Sequence, residues 1–279
     1  MKMFAAVAVL TLLATGARHA APPSCSQLLS GSVPPATVQA SGPWKYRLTT
    51  EYNILGPQGA EANSHVVTGD FTAMTGDFIA KGEELQWTSV TVGQSSGHAQ
   101  AVNSIEHQKF MEGLHYTRAD SQKTTTADFF HDFPQTATDE KNLVWDELMF
   151  DSLIRHNLDK LHLNQPLAAE SGDVPLAGAG TFTNRRIELT WTGIGQRHGE
   201  DCLLVHYEAL LNTFSINSGP VTVTGRSDYM GDIWVSIRTH KIEYGTLLEE
   251  VAGTLANLPG SSGPQPLHVL RVATLEHLP

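Results

Sequence analysis

Alternation of apolar and polar residues with a period of two constrains this sequence more than any other feature. Between Trp44 and Ile54, every second position is aromatic, aliphatic or threonine, and polar residues such as Lys45 and Glu51 fill the positions between. Successive side chains of an extended strand point to opposite faces, so this stretch predicts a strand with one face turned inward. The same pattern recurs in Arg186 to Ile194 and in Cys202 to Ile216.

The segment Gly219 to Val251 is the densest run of this kind. Its β-branched and aromatic residues are interrupted at Gly225, at Gly231 and at Thr239-His240, which predicts consecutive antiparallel strands joined by turns at those points. Shorter β-like runs precede it, and a last strand is expected at the carboxy terminus. These predicted strands are His65 to Ala73, Phe78 to Ala80, Leu85 to Val92, Ala99 to Ile105, Phe110 to Thr117 and Gln265 to Leu278.

The period changes between Asp139 and about Leu161, where a helix is predicted. No Gly or Pro interrupts this run, Asp139 is placed to cap it, and Arg155 lies near its end. Its apolar residues spread around the helix, which predicts substantial burial or else a break near Met149. The acidic residues of this run, Asp146, Glu147 and Asp151, are interpreted as a solvated helix surface, and Glu249-Glu250 as a strand end.

The predicted fold class is therefore mainly β. We expect an antiparallel meander that forms a curved half-barrel or a sandwich, with one principal helix (about 139–161) packed on it. The predicted organisation is a signal peptide at 1–20, an irregular, proline-rich lead-in at 21–43, and a single β-rich domain at 44–279 that carries the helical insertion.

The amino terminus has the form of a secretory signal. Lys2 is followed by an apolar run from Met3 to Ala14 and by small residues where a signal peptidase cuts. This run is shorter than the roughly 20 residues that cross a bilayer, and no later stretch is longer, so no transmembrane segment is predicted. We expect an exported protein, periplasmic or extracellular. Cys25 and Cys202 would then form a disulfide in an oxidising compartment, with two free thiols as the alternative.

Charge and motifs exclude several classes of partner. The formal net charge is −11, and it becomes more negative if the leader with Lys2 and Arg18 is removed, so binding to nucleic acid is not expected. Gly-rich phosphate loops are absent, and no cofactor is predicted. Metal binding is not predicted either, because the 13 histidines show no ligand spacing. His156 and His162 do not share a helix face, and His107 with His115 would need strand pairing that sequence does not establish.

Trp234 is the most informative candidate for ligand binding. Ile233, Val235 and Ile237 share one face of the predicted strand, which leaves Trp234 on the opposite, otherwise polar face. An indole there needs cover from the helix, from a second sheet, or from an apolar ligand held by a concave sheet. Trp191, Tyr207 and Tyr244 are further candidates for the same site, and plain core packing is the alternative for all four.

Two functional hypotheses follow. The first is an exported, non-enzymatic β-rich protein that binds a lipid-like or other apolar or amphipathic small molecule, or an envelope protein. The second is a secreted, esterase-like serine hydrolase, because Gly93 to Gly97 matches the G-x-S-x-G nucleophile elbow with Ser95 as nucleophile. A later histidine such as His198 or His206 would then have to act as its base.

Overall fold

Most of the predicted strands are formed. The run predicted at Phe110 to Thr117 is an exception, since it begins inside a 3-10 turn at Lys109–Met111 and contains only the short strand His115–Thr117. The computed structural model describes residues 31–38, 42–56, 59, 61–75, 84–95 and 102–279. The predicted signal peptide at 1–20, Cys25 and the predicted strand Phe78 to Ala80 lie outside these ranges. The strands found in the described chain are β1 Gly42–Leu55, β2 Glu61–Thr75, β3 Glu84–Ser95, β4 Val102–His107, β5 His115–Thr117, β6 Pro166–Ala168, β7 Gly172–Pro175, β8 Gly180–Asn184, β9 Arg186–Arg197, β10 Glu200–Ser218, β11 Val221–Ser236, β12 Ile242–Ala256 and β13 Gln265–Leu278.

These strands belong to one antiparallel sheet, in the order β4-β3-β2-β1-β13-β12-β11-β10-β8-β7. Strand β5 lies beside β3, while β9 lies beside β10 and carries β6. The first and last long strands, β1 and β13, are neighbours in the middle of the sheet. Within the described strands the sheet does not close on itself. A mainly β fold with one curved sheet and one principal helix is thus confirmed, and the sandwich is not formed.

One face of the sheet, which we call the inner face, carries the core. On β1 the residues Tyr46, Leu48, Thr50 and Tyr52 are buried, as the alternation predicted. The single α-helix of the described residues, α1 (Thr138–Arg155), packs on this face. Its Phe150 lies over Gly245 of β12, where a Cβ atom would be 2.8 Å from the phenyl ring. The helix therefore approaches the sheet where a side chain is missing.

The predicted turns at Gly225 and Gly231 are wrong. Both glycines lie inside β11, which runs without interruption from Val221 to Ser236. A Cβ atom would collide with the carbonyl oxygen of Ala252 at Gly225, and with that of Thr246 at Gly231. The glycines permit close approach of the neighbouring strand β12, which is the other common reason for glycine in a strand. The predicted turn at Thr239-His240 does join β11 to β12.

Helix α1 confirms the predicted helix with two differences. The helix begins one residue earlier, at Thr138, and its N-cap is Ala137, which provides no capping side chain. Asp139 is instead hydrogen-bonded to Nε2 of His65 on β2, at 2.7 Å. The helix continues unbroken through Met149 to Arg155, and a separate 3-10 turn follows at Leu158–Lys160.

The acidic residues of α1 are buried, which corrects their interpretation as a solvated surface. Asp146, Glu147 and Asp151 are at most 8% exposed. Asp146 accepts a hydrogen bond of 2.5 Å from the Arg271 guanidinium on β13, and Glu249 of β12 lies 2.9 Å from Arg271 Nε. Ser227 Oγ donates to the other oxygen of Glu249. This buried triad of one cation and two carboxylates joins the helix to the sheet.

The triad predicts a specific pH dependence of stability. Burial raises the pKa of the Asp146 carboxyl to about 6, against the lowering effect of Arg271, whereas an unfolded Asp titrates near about 3.9. Between about pH 4 and pH 6, the Asp146 carboxyl is protonated in the folded state and ionised in the unfolded state. Its contribution to stability is therefore fully present below about pH 4 and is lost as the pH rises to about 6. The free energy of unfolding of Asp146→Asn should therefore fall less over this window than that of the wild type. Urea titrations at several pH values measure the two slopes, and equal slopes would contradict the assignment.

Candidate functional site

A cavity of about 910 Å³ lies between the carboxy-terminal half of α1 and the inner face of the sheet. Its buried lining contains the carboxylates Glu147 and Asp151 of α1 and a larger apolar part, with side chains contributed by four strands, the helix and the 3-10 turn. These side chains are Tyr46, Phe71, Leu275, Ile242, Ile154 and Leu158. Its mouth is polar and exposed, with Arg155, His156, Asp159 and Lys160 from the end of α1 and the turn after it.

Strand alternation and helical periodicity together place the cavity wall. Tyr46 and Phe71 are directly paired across β1 and β2, and their rings stack at 5.1 Å. Leu275 follows on the same face from β13. On α1, Glu147, Asp151 and Ile154 are spaced by four and three residues, so they share one face of the helix. The cavity is therefore bounded by regular secondary structure on both sides.

A chain of hydrogen bonds orients the buried acid of this wall. Trp87 Nε1 donates to the Tyr116 hydroxyl at 3.2 Å, and that hydroxyl donates to Glu147 Oε2 at 3.1 Å. Burial raises the pKa of Tyr116 well above its ordinary value, so the phenol stays protonated and keeps its role as donor. Nearer the mouth, Asp151 forms an ion pair of 3.0 Å with Arg155.

Residues 31–38 form a strap across the mouth of the cavity, to which Val33, Pro34 and Pro35 contribute. One end is held by the segment after α1, where the Leu163 amide donates to the Gly31 carbonyl. The other end is held by the β11–β12 turn. There the amides of Thr37 and Val38 donate to the Arg238 carbonyl, and His240 donates from Nε2 to the Pro34 carbonyl at 2.9 Å. The strap thus forms one side of the cavity and is held in place by hydrogen bonds at its two ends.

The four predicted ligand-binding residues do not line this cavity. Trp191 and Tyr207 are on the inner face, fully buried and hydrogen-bonded to the carbonyls of Gly193 and Thr246, so they serve as core residues. Trp234 and Tyr244 are paired with each other on the opposite, outer face. The predicted parity is confirmed, since Ile233, Val235 and Ile237 are buried and Trp234 is half-buried on the other side. The sheet itself buries part of the Trp234 side chain, which packs over Gly195 of β9.

The backbone of the predicted nucleophile Ser95 lies in strand β3. Gly93, Gln94 and Ser95 lie in β3 and pair with β2, whereas an elbow places the serine at a sharp turn between a strand and a helix. The next described element is strand β4. His206 lies on β10, with five strands between it and β3, and His198 lies at the turn between β9 and β10.

The cysteine and histidine residues that the sequence singled out lie apart from one another in the described chain. Cys202 is buried in β10, and burial raises the pKa of its thiol to about 12. The predicted disulfide with Cys25 stays a prediction. His107 and His115 lie opposite Thr91 and Gln86 on β3, too far apart to share a ligand. The described residues contain no cluster of three or more metal-ligating side chains.

Sequence reasoning missed the residues that build the cavity and its charged neighbours. The one available signal for the triad was Arg271, a single cation between apolar residues at an inward position of the last strand. The signal for the cavity wall was the apolar residues on all sides of α1, which were correctly interpreted as burial.

Comparisons with known proteins find matches only among solved structures. No family model matches the chain, and no curated protein matches it. Among solved structures, it is similar to a chain from a study of lipid-protein interactions in lipovitellin, with 11% sequence identity and a TM-score of 0.43. The match covers 86% of this chain and 25% of that one, so this chain spans about a quarter of its length. At this degree of likeness, the ligand of one protein says nothing about the ligand of the other.

Within the described residues, no helix is long and apolar enough to cross a membrane.

Proposed function

We propose that this protein is a non-enzymatic binder of a small amphipathic molecule, which it holds in the cavity between α1 and the sheet. The observation that carries the proposal is the cavity itself. Its volume of about 910 Å³ falls in the range of about 300–1,000 Å³ that small-molecule sites occupy. Such sites are mostly apolar, with a few placed polar groups that orient the ligand.

The distribution of polarity supports an amphipathic rather than a wholly apolar ligand. The buried wall around Tyr46, Phe71 and Leu275 offers an apolar surface to a hydrocarbon body. The mouth, with Arg155, Lys160 and Lys241, offers charged and hydrogen-bonding groups to a polar head that remains near solvent. We also propose export to the periplasm or the exterior, on the strength of the leader sequence.

A cavity-filling substitution tests the proposal. Val33 is half-buried in the strap and lines the cavity, so Val33→Trp should fill the mouth with little loss of stability. The wild type should increase the fluorescence of 11-(dansylamino)undecanoic acid saturably, and Val33→Trp should weaken its binding at least about tenfold, since excluding several methylenes removes about 0.8 kcal/mol each.

Leu248→Trp is the matched control. Leu248 is 45% exposed on the outer face, so the same indole there should leave probe affinity within about twofold of the wild type. Thermal unfolding of both variants verifies that the fold is intact. An absence of saturable binding, or equal losses in both variants, would refute the cavity as the site. Native mass spectrometry of the protein purified from its own source should in addition reveal a bound lipid-like mass.

A further inference from the structure

Trp234 and Tyr244 belong to a straight row of side chains on the outer face. Strand register places one residue from each of six neighbouring strands in this row, β10, β11, β12, β13, β1 and β2. Its members, in spatial order, are Leu204, Trp234, Tyr244, Glu276, Arg47 and Asp70. We call this the aromatic row. The cavity on the inner face uses none of them.

The indole of Trp234 packs over Gly195 of β9. A Cβ atom at Gly195 of β9 would be 2.7 Å from Trp234 Cζ3, so the ring rests where that strand has no side chain. The residue is half-buried, so part of its side chain is accessible to solvent. Its N–H has no hydrogen-bond partner among the residues that the structure describes. The ring thus offers a partly exposed apolar surface together with an unpaired N–H donor.

The charged residues of the aromatic row form ion pairs with residues of opposite charge. The Arg197 guanidinium lies 3.7 Å from the centre of the Tyr244 ring and 2.9 Å from a Glu276 oxygen. Arg47 binds both carboxylate oxygens of Asp70, at 2.7 and 2.9 Å. Two cations therefore face two carboxylates, and these pairs keep planar hydrogen-bonding groups in fixed orientations.

A second row, of hydroxyl groups, runs beside the first. Four of its members lie two residues along their strands from a member of the aromatic row, and the fifth, Thr91, continues the hydroxyl row on β3. Both rows therefore share the outer face. The hydroxyl row consists of Thr246, Thr274, Thr49, Thr68 and Thr91, each directly opposite the next. The Oγ atoms of Thr49 and Thr68 are 3.3 Å apart. Together the two rows form what we call the outer platform.

We propose that the outer platform binds a neutral polysaccharide. The C–H face of a sugar ring packs on an aromatic ring, and its hydroxyls exchange hydrogen bonds with paired charged groups and threonine hydroxyls. Compensated charges on a chain of net charge −11 do not attract a polyanion such as nucleic acid. Five strand spacings of about 4.8 Å give a length of roughly 24 Å, which suits a chain of several sugars rather than one.

Retention on polysaccharides tests this proposal independently of the cavity. Affinity electrophoresis through gels that contain hydroxyethyl cellulose, xyloglucan, mixed-linkage β-glucan or laminarin, and pull-down with insoluble chitin, cover the main neutral types. The wild type should be retarded or captured by at least one of them. Trp234→Ala should reduce that affinity at least tenfold, and the double variant Thr49→Val/Thr274→Val, which keeps side-chain shape, should reduce it several-fold.

Two controls separate binding from folding. Leu248→Ala alters the same face outside both rows, and Val33→Trp alters only the cavity, so both should bind polysaccharide like the wild type. The double threonine variant keeps the test valid if Trp234→Ala fails to fold. Failure of the wild type to bind any of these polysaccharides would overturn the proposal, as would unchanged binding in the folded variants of either row.

Discussion

Replacing Arg271 with methionine should lower the free energy of unfolding by about 3–5 kcal/mol, the usual loss when one partner of a buried ion pair is removed. Arg271 is 8% exposed and stands between Asp146 and Glu249, both equally buried. Without the guanidinium, two carboxylates would face each other in the interior with no countercharge. Urea denaturation measures the change.

Neutral partners provide the control for this prediction. In the triple variant Arg271→Met/Asp146→Asn/Glu249→Gln no uncompensated charge remains, so most of the lost stability should return. A loss below about 1 kcal/mol in Arg271→Met, or no recovery in the triple variant, would show that the triad does not hold α1 to the sheet.

Phe150→Ala should lower the free energy of unfolding by a comparable amount, about 3–5 kcal/mol. The ring is fully buried, rests on Gly245 and meets the Tyr207 ring edge-on at 6.3 Å. Its removal leaves a void between the helix and Gly245 of β12. Leu248→Ala, at an exposed site of the same sheet, should change stability by no more than about 0.5 kcal/mol.

The effect of Gly245→Val on the free energy of unfolding should have opposite signs in the wild type and in the Phe150→Ala variant. In the wild type, Gly245→Val should destabilise by about 1–3 kcal/mol, because its Cβ atom would press on the phenyl ring. In the Phe150→Ala background the same valine should refill part of the void and recover stability. Additive effects of the two substitutions would contradict the packing described for α1.

The strands and the helix were predictable from the sequence because both follow from local periodicity. Alternation from Trp44 to Ile54 identified the inner face of β1, and the absence of Gly and Pro after Asp139 identified α1. The same reasoning placed Trp234 on the outer face. Gly225 and Gly231 were misjudged because a glycine in a turn and a glycine under close backbone approach look alike in one sequence.

The buried charges and the cavity were not predictable, because they depend on contacts distant in sequence. Asp146 and Arg271 are 125 residues apart, and nothing local to either residue identifies its partner. The cavity arises from the position of α1 on the sheet together with the strap at 31–38, and periodicity fixes neither. Trp191 and Tyr207 were predicted as ligand-binding residues because they are large aromatic residues, and such residues are equally suited to the protein core.

Methyl NMR on addition of lauric acid tests the central claim, that the cavity under α1 is a ligand site, most directly. Lauric acid should perturb the methyl signals of Ile154, Leu158, Ile242 and Leu275, saturably and together, while those of Leu248 and Val272 on the outer face stay in place. Perturbations confined to the outer face, or none at millimolar lauric acid, would contradict the account.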